Sequence, residues 1–286
     1  MFRFGPAIML SVIFGSIILI PGYMGLLEVE AGSSTNVSQL DTSADTGNTA
    51  KLQNKTVEYF QDAQGYLVYP VSSNDTISKK LPAVVMIHEW WGLNENIKDM
   101  ANLLAKQGFV VLAADLYKGE VANNQERAME LVQAARNNQN ISNSNLQSAV
   151  KYLASLPNVD STKISSLGWC FGGGQSLQLA LNSQDHPLAA TILYYGTPLV
   201  TDNASLTKIK WPVLGIFGDK DQGIPVEEVN QFRTSLDQSG ITNEIHIYEG
   251  VGHAFANPSG DNYAPKETED AWQKTLSFLK KYVVDT

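Results

Sequence analysis

Gly168-Trp169-Cys170-Phe171-Gly172-Gly173 lies between a strand-like run, residues 165–169, and a helix-like run, residues 173–182. This is the pattern of a nucleophile elbow, with Cys in the place more often held by Ser. A strand that reverses this sharply into a helix holds its middle residue in strained φ/ψ. The neighbours therefore cannot carry bulky Cβ substituents. The turn stands the Cys170 side chain above the C-terminal edge of a sheet, at a helix N-terminus whose dipole favours a thiolate. The Phe171 N–H then points at the place where an oxyanion would form. A lone cysteine is often an inert buried apolar residue. Here it is the only cysteine in 286 residues and sits inside a glycine-framed turn, which favours the nucleophile. With one cysteine, no intramolecular disulfide and no Cys-rich zinc site can form.

Outward from the elbow, strand and helix patterns alternate. Residues 82–88 (PAVVMIH) and 109–114 (FVVLAA) are short and apolar throughout, as buried parallel strands are. Further strands are expected at 165–169, 189–195, 212–217 and 244–248, with helices at 94–107, 124–136, 144–155, 173–182, 226–238 and 266–282. In the first helix Ile97, Met100, Ala101, Leu104 and Ala105 recur at helical spacing, and Gly108 supplies the stop. Residues 56–61 and 65–71 flank a turn at 62–65, which predicts an N-terminal β-hairpin. The whole is a doubly wound, mostly parallel α/β sheet flanked by helices.

An elbow needs a base and an orienter, and both occur downstream. Asp221 follows the 212–217 strand in Gly218-Asp219-Lys220-Asp221, and His253 lies in Gly250-Val251-Gly252-His253-Ala254-Phe255. Loops at strand C-termini converge above the sheet, so the three side chains can meet there. His253 would take the thiol proton, and Asp221 would set its tautomer and stabilise the imidazolium. Asp219 competes with Asp221 from the same turn. In His88-Glu89-Trp90-Trp91-Gly92, the Trp90 N–H would complete an oxyanion hole opposite Phe171, with Glu89 beside the thiol. A partly buried carboxylate there is costly unless it is hydrogen-bonded. His88, His186 and His246 are expected to be structural.

The chain is 43% hydrophobic and 17% charged with a net charge of −9, which excludes global disorder and makes nucleic acid an unexpected partner. Residues 1–31 resemble an export segment: Arg3, the uncharged apolar run 7–20, then Val29-Glu30-Ala31 as a cleavage-type sequence. Stretched over residues 4–27, the run is also long enough for an uncleaved membrane tether. Either way the folded part, residues 56–286, is expected outside the cytoplasm, behind a flexible polar linker at 32–55.

Together with Asp115-Leu116-Tyr117 and Tyr194-Tyr195-Gly196, these motifs resemble the dienelactone hydrolase family over about residues 56–284. The resemblance implies an α/β-hydrolase fold with no large lid domain and a Cys170-His253-Asp221 triad. It also implies a Glu89 that holds the thiol in the resting state and accepts its proton when substrate binds. Tyr195 would line the substrate pocket. Where dienelactone-cleaving members carry an arginine that grips the substrate carboxylate, this chain has Asn257, and Arg127 is near the second arginine position without matching its register. A neutral amide cannot make a bidentate ion pair. An uncharged ester or lactone is therefore the expected substrate, in a broad-range pocket lined by Trp91, Trp169, Tyr195 and Asn257. No metal or organic cofactor is implied, and a monomer is expected. The competing readings are a non-catalytic exported binding protein, which would show a misaligned triad, and a thiol redox role, which lacks a resolving cysteine.

Overall fold

The structure, a computed structural model, describes residues 51–71 and 80–286. The expected export segment and all but the last five residues of the expected linker fall outside that range. Residues 51–55 are strand, not linker: β1 runs Lys51–Phe60 and pairs antiparallel along its length with β2, Ala63–Val71. The hairpin is thus five residues longer than its hydrophobic pattern suggested. Polar side chains at 51 and 53–56 are tolerated because β1 is an edge strand with mostly exposed positions.

The remaining strands are β3 (Leu81–Ile87), β4 (Val110–Ala114), β5 (Val159–Trp169), β6 (Ala190–Tyr194), β7 (Val213–Gly218) and β8 (Asn243–Tyr248). They form one sheet in the order β1-β2-β4-β3-β5-β6-β7-β8, parallel from β4 through β8. Every residue of β4, β6 and β7 is buried, as two-sided helix cover requires. The helices are α1 (Glu95–Lys106), α2 (Gln125–Asn137), α3 (Gln139–Ser155), α4 (Phe171–Leu181), α5 (Asn203–Leu206), α6 (Val226–Gln238) and α7 (Pro265–Leu279), the last ending in a π-helical turn, Lys280–Val284. Asn94 and Asn124 cap α1 and α2 by accepting the Ile97 and Arg127 N–H groups at 3.2 and 2.8 Å. Gly108, at φ +94°, ends α1 in the left-handed conformation that glycine tolerates.

This order positions the site. β5 is central; β3 and β4 lie on one side of it, and β6, β7 and β8 on the other. Loops after β4 and after β7 and β8 therefore reach the same sheet edge from opposite directions. α2 packs away from the main core, on a separate cluster of Tyr117, Ala122, Ala128, Leu131, Ala135 and Phe171. Trp90, Trp91, Val132 and Cys170 pack against that cluster.

Candidate active site

Cys170 ends β5 and caps α4 at φ 54°, ψ −118°, a left-handed conformation costing about 1–3 kcal/mol for a non-glycine residue. Surrounding packing holds it there. The Cys170 N–H donates to the Tyr194 carbonyl at 3.0 Å. A Cβ on Gly172 would stand 2.3 Å from the Ile87 carbonyl oxygen, and one on Gly168 would stand 2.2 Å from the Gly172 oxygen. These two glycines let the first turn of α4 lie against the ends of β3 and β5, as the elbow pattern demands. The thiol itself is half-buried.

His253 and Asp221 come to it from the β8 and β7 side. His253 Nε2 lies 3.1 Å from Cys170 Sγ, and His253 Nδ1 lies 2.7 Å from Asp221 Oδ2. Asp221 is buried, and its other oxygen accepts the Gly223 and Ile224 N–H groups at 2.8 and 3.2 Å. That leaves Oδ2 free to hold the imidazole. Asp219 is engaged elsewhere. Its Oδ1 accepts the Gly250 N–H at 2.7 Å, tying the β7 loop to the turn that carries His253. Burial alone would depress the His253 pKa, but hydrogen bonds to Asp221 and Cys170, and the charges of both, raise it to about 10. The geometry and the charge balance favour an imidazolium facing the sulfur.

β3 is in register with β5, Ile87 opposite Gly168, so the three residues after His88 run alongside the elbow. The Phe171 N–H opens α4 and, as a first-turn amide, has no acceptor within the helix. Trp90 lies in the loop that follows β3. His88 is buried and neutral: its Nε2 accepts the Leu116 N–H at 3.2 Å, and its Nδ1–H donates to the Glu89 carbonyl at 2.6 Å. Burial depresses its pKa. It is a structural histidine, as the sequence suggested. So is His246 within β8, while His186 is exposed in a loop.

The dienelactone hydrolase family model matches residues 64–283. The chain belongs to the dienelactone hydrolase family. It is 31% identical to Protein usf of Aquifex pyrophilus over 207 residues, covering 71% of this chain and 89% of that protein. It is also 31% identical to the "Putative carboxymethylenebutenolidase" of Saccharolobus solfataricus over 242 residues, 70% of this chain and 89% of the relative. Among solved structures, a dienelactone hydrolase-like promiscuous phosphotriesterase from metagenomic libraries superposes with a TM-score of 0.72 at 23% identity. That match covers 81% of this chain and 98% of the other. The dienelactone hydrolase from Anabaena variabilis superposes at 0.60 and 19% identity, over 82% and 100% of the two chains. These similarities establish the α/β-hydrolase fold.

Against the dienelactone hydrolase pattern, four expectations change. Glu89 does not hold the thiol. Its Oε2 accepts a hydrogen bond from Asn257 Nδ2 at 2.5 Å, while the sulfur is engaged by His253. Asn257 is itself buried, its Oδ1 accepting the Ser259 N–H at 2.9 Å, so it sits behind Glu89 and does not line an open pocket. Trp169 is likewise in the core, against Tyr194 at a ring distance of 5.5 Å, because its side chain points off the sheet face. Tyr195 is fully buried against His253, with ring centroids 5.2 Å apart. Trp90 and Trp91 remain half-buried, with rings 4.8 Å apart. Sequence reasoning missed Tyr117, Leu131 and Val132 on this wall. In the sequence, Leu131 and Val132 show only the apolar spacing of a helix and Tyr117 only a short motif, although all three belong to the satellite cluster. Arg127 is turned to the surface, paired with Glu120 and Glu130 at 2.5 Å each.

Burial of the Glu89 carboxyl raises its pKa from 4.5 to about 7, against the opposing pull of His253 and the Asn257 hydrogen bond. A carboxyl raised on folding stabilises while it is protonated. That contribution is intact below pH 4.5 and is lost as pH climbs through 7. Glu89→Gln should therefore match the parent in urea unfolding near pH 4.5 and exceed it at pH 8 by on the order of 2–3 kcal/mol. An equal gain at both pH values would contradict a protonated Glu89.

Proposed function

We propose that this chain hydrolyses neutral carboxylic esters or lactones through an acyl-enzyme on Cys170. The carrying observation is the continuous chain Cys170–His253–Asp221, with links of 3.1 and 2.7 Å, at a strained elbow. The Cys170 thiolate adds to the ester carbonyl, and the developing oxyanion is met by the Phe171 and Trp90 N–H groups. Collapse of the tetrahedral adduct breaks the C–O bond. The His253 imidazolium gives its proton to the departing alkoxide, leaving a thioester and neutral His253. Water then loses a proton to His253 as it attacks the thioester. The carboxylic acid departs and the thiolate–imidazolium pair is restored. A misaligned triad, the mark of a non-catalytic relative, is not what these distances describe.

Sidedness supports the substrate class. His253 must protonate the leaving alkoxide, so the alcohol part lies toward β7 and β8. The acyl part then falls on the β4 side, against Trp90, Trp91 and Val132, an apolar wall. The arginine on the outer turn of α2, Arg127, is neutralised by two glutamates. The apolar run at residues 7–20 behind Arg3 supports export of the folded part. Initial rates on p-nitrophenyl butyrate and mono-p-nitrophenyl succinate compare acyl chains of similar length with and without a carboxylate. The neutral ester should be favoured about tenfold or more in kcat/KM, the penalty of an unpaired charge against apolar groups. A preference for the succinate ester would overturn the neutral-acyl assignment.

A further inference from the structure

The backbone carbonyl of Glu89 is gripped by the side chain before it. His88 Nδ1–H donates to it at 2.6 Å, and the Gly92 N–H reaches it more weakly at 3.4 Å. The Leu116 N–H donates to His88 Nε2 at 3.2 Å, so the ring is neutral and its proton sits on Nδ1. Burial, which depresses the His88 pKa, keeps it so. Packing fixes the ring as well: it meets Tyr117 edge-on at 4.6 Å and lies 6.0 Å from Phe171, the residue after the nucleophile. A Cβ on Gly172 would stand 2.4 Å from the His88 carbonyl oxygen, so this stretch of chain runs against the first turn of α4. The Glu89 carbonyl and the Trp90 N–H belong to one peptide group. In a planar trans peptide the two point in opposite directions, so a grip on the carbonyl sets where the N–H points. Among the described residues, no backbone carbonyl takes the Trp90 N–H.

We propose that His88 is a positioning residue for the oxyanion site: by holding the Glu89 carbonyl, it aims the Trp90 N–H at the place where the oxyanion forms. The inference rests on the acyl-transfer reading and deepens it by naming what fixes the second donor. A loop amide free to turn would have to be oriented as charge develops, whereas a donor already aimed costs no reorganisation at that moment. Trp90 sits in a turn beyond the pairing of β3 with β5, which ends at Ile87, so strand pairing does not perform this task. His88 need not touch the substrate; it acts through the Glu89–Trp90 peptide.

The test separates the grip on the carbonyl from the packing of the ring. His88→Phe keeps an aromatic ring against Tyr117 and Phe171 and removes the donor. His88→Asn removes the ring and keeps a side-chain N–H where Nδ1 stood. Three readouts are taken on the full-length proteins: kcat on p-nitrophenyl butyrate, reversible addition of Cys170 to a trifluoromethyl ketone followed by fluorine NMR, and alkylation of Cys170, the sole cysteine, by iodoacetamide. In the ketone adduct an S–C bond forms and the carbonyl electron pair moves onto oxygen, which makes an oxyanion; displacement of iodide makes none. His88→Phe should lower kcat and the affinity for the ketone by about a hundredfold, the scale of one lost oxyanion donor, with KM and alkylation within about threefold of the parent. His88→Asn should keep at least about a tenth of the parent kcat and ketone affinity. If the ring served only packing, the order of the two variants would reverse. That reversal, a His88→Phe kcat within about threefold of the parent, or alkylation falling as far as hydrolysis would overturn the proposal. So would failure of both variants to fold, a parent that forms no ketone adduct, or a parent whose long-range proton–nitrogen NMR spectrum places the His88 proton on Nε2. A parent that forms the adduct, with this pattern of losses, and hydrolyses no ester would count against the esterase reading alone.

Discussion

Cys170→Ala should lower kcat/KM on p-nitrophenyl butyrate by about 10⁴ or more, while Tm moves by only a few degrees. The size follows from the unit behaviour of a nucleophile and its base: with the sulfur gone, only the oxyanion donors and substrate binding remain. Stability should be little changed because the thiol is half-buried and, among the described residues, its one polar contact is with His253. Alanine also relieves nothing of the strained φ of 54°, which the Gly172 contact and the Tyr194 carbonyl impose on any residue there. A variant retaining a tenth of the parent rate would place the chemistry elsewhere.

The second large effect is expected at Asp221. Asp221→Asn keeps the shape, and its carbonyl oxygen can still accept the Gly223 and Ile224 N–H groups. Its amide N–H then faces His253 Nδ1 and forces that nitrogen to become an acceptor. The proton moves to Nε2, which can no longer take one from the sulfur. The loss should be about 10³–10⁴ in kcat, the range for a wrong tautomer in an otherwise intact triad. Removing the charge also withdraws a support that holds the His253 pKa near 10. The alkaline limb of the rate profile should move to lower pH as a result. Asp219→Asn is the control: its amide oxygen can still accept the Gly250 N–H and keep the His253 loop in place, so it should cost far less than the Asp221 variant. A reversed order would assign the orienting role to Asp219.

The elbow was legible because it is a backbone requirement written in residue types. Gly168 and Gly172 are needed for close approach to carbonyl oxygens, and a cysteine held between such glycines is poorly placed for ordinary core packing. The parallel strands were legible for a related reason, since strands buried on both faces must be apolar throughout. Asp221 and His253 were placed by chain order, and the choice of Asp221 over Asp219 agrees with the hydrogen bonds each one makes. What escaped the sequence is side-chain direction. Tyr195 and Trp169 belong to motifs near the site, yet both point into the core. Their alternation at strand ends depends on local twist, which residue type does not encode. The Glu89 partner escaped for a similar reason, because Asn257, which donates to it, lies 168 residues away in the chain. The extent of β1 escaped because edge strands need little hydrophobicity.

The central claim is that acyl groups pass through Cys170. Turnover of p-nitrophenyl butyrate should be quenched in acid within milliseconds and the protein digested for mass spectrometry. A butyryl increment should appear on the peptide that contains Cys170, accumulate in proportion to the initial p-nitrophenol burst, and be absent from Cys170→Ala. Steady hydrolysis with an unmodified Cys170 peptide, or an increment on any other residue, would contradict the account.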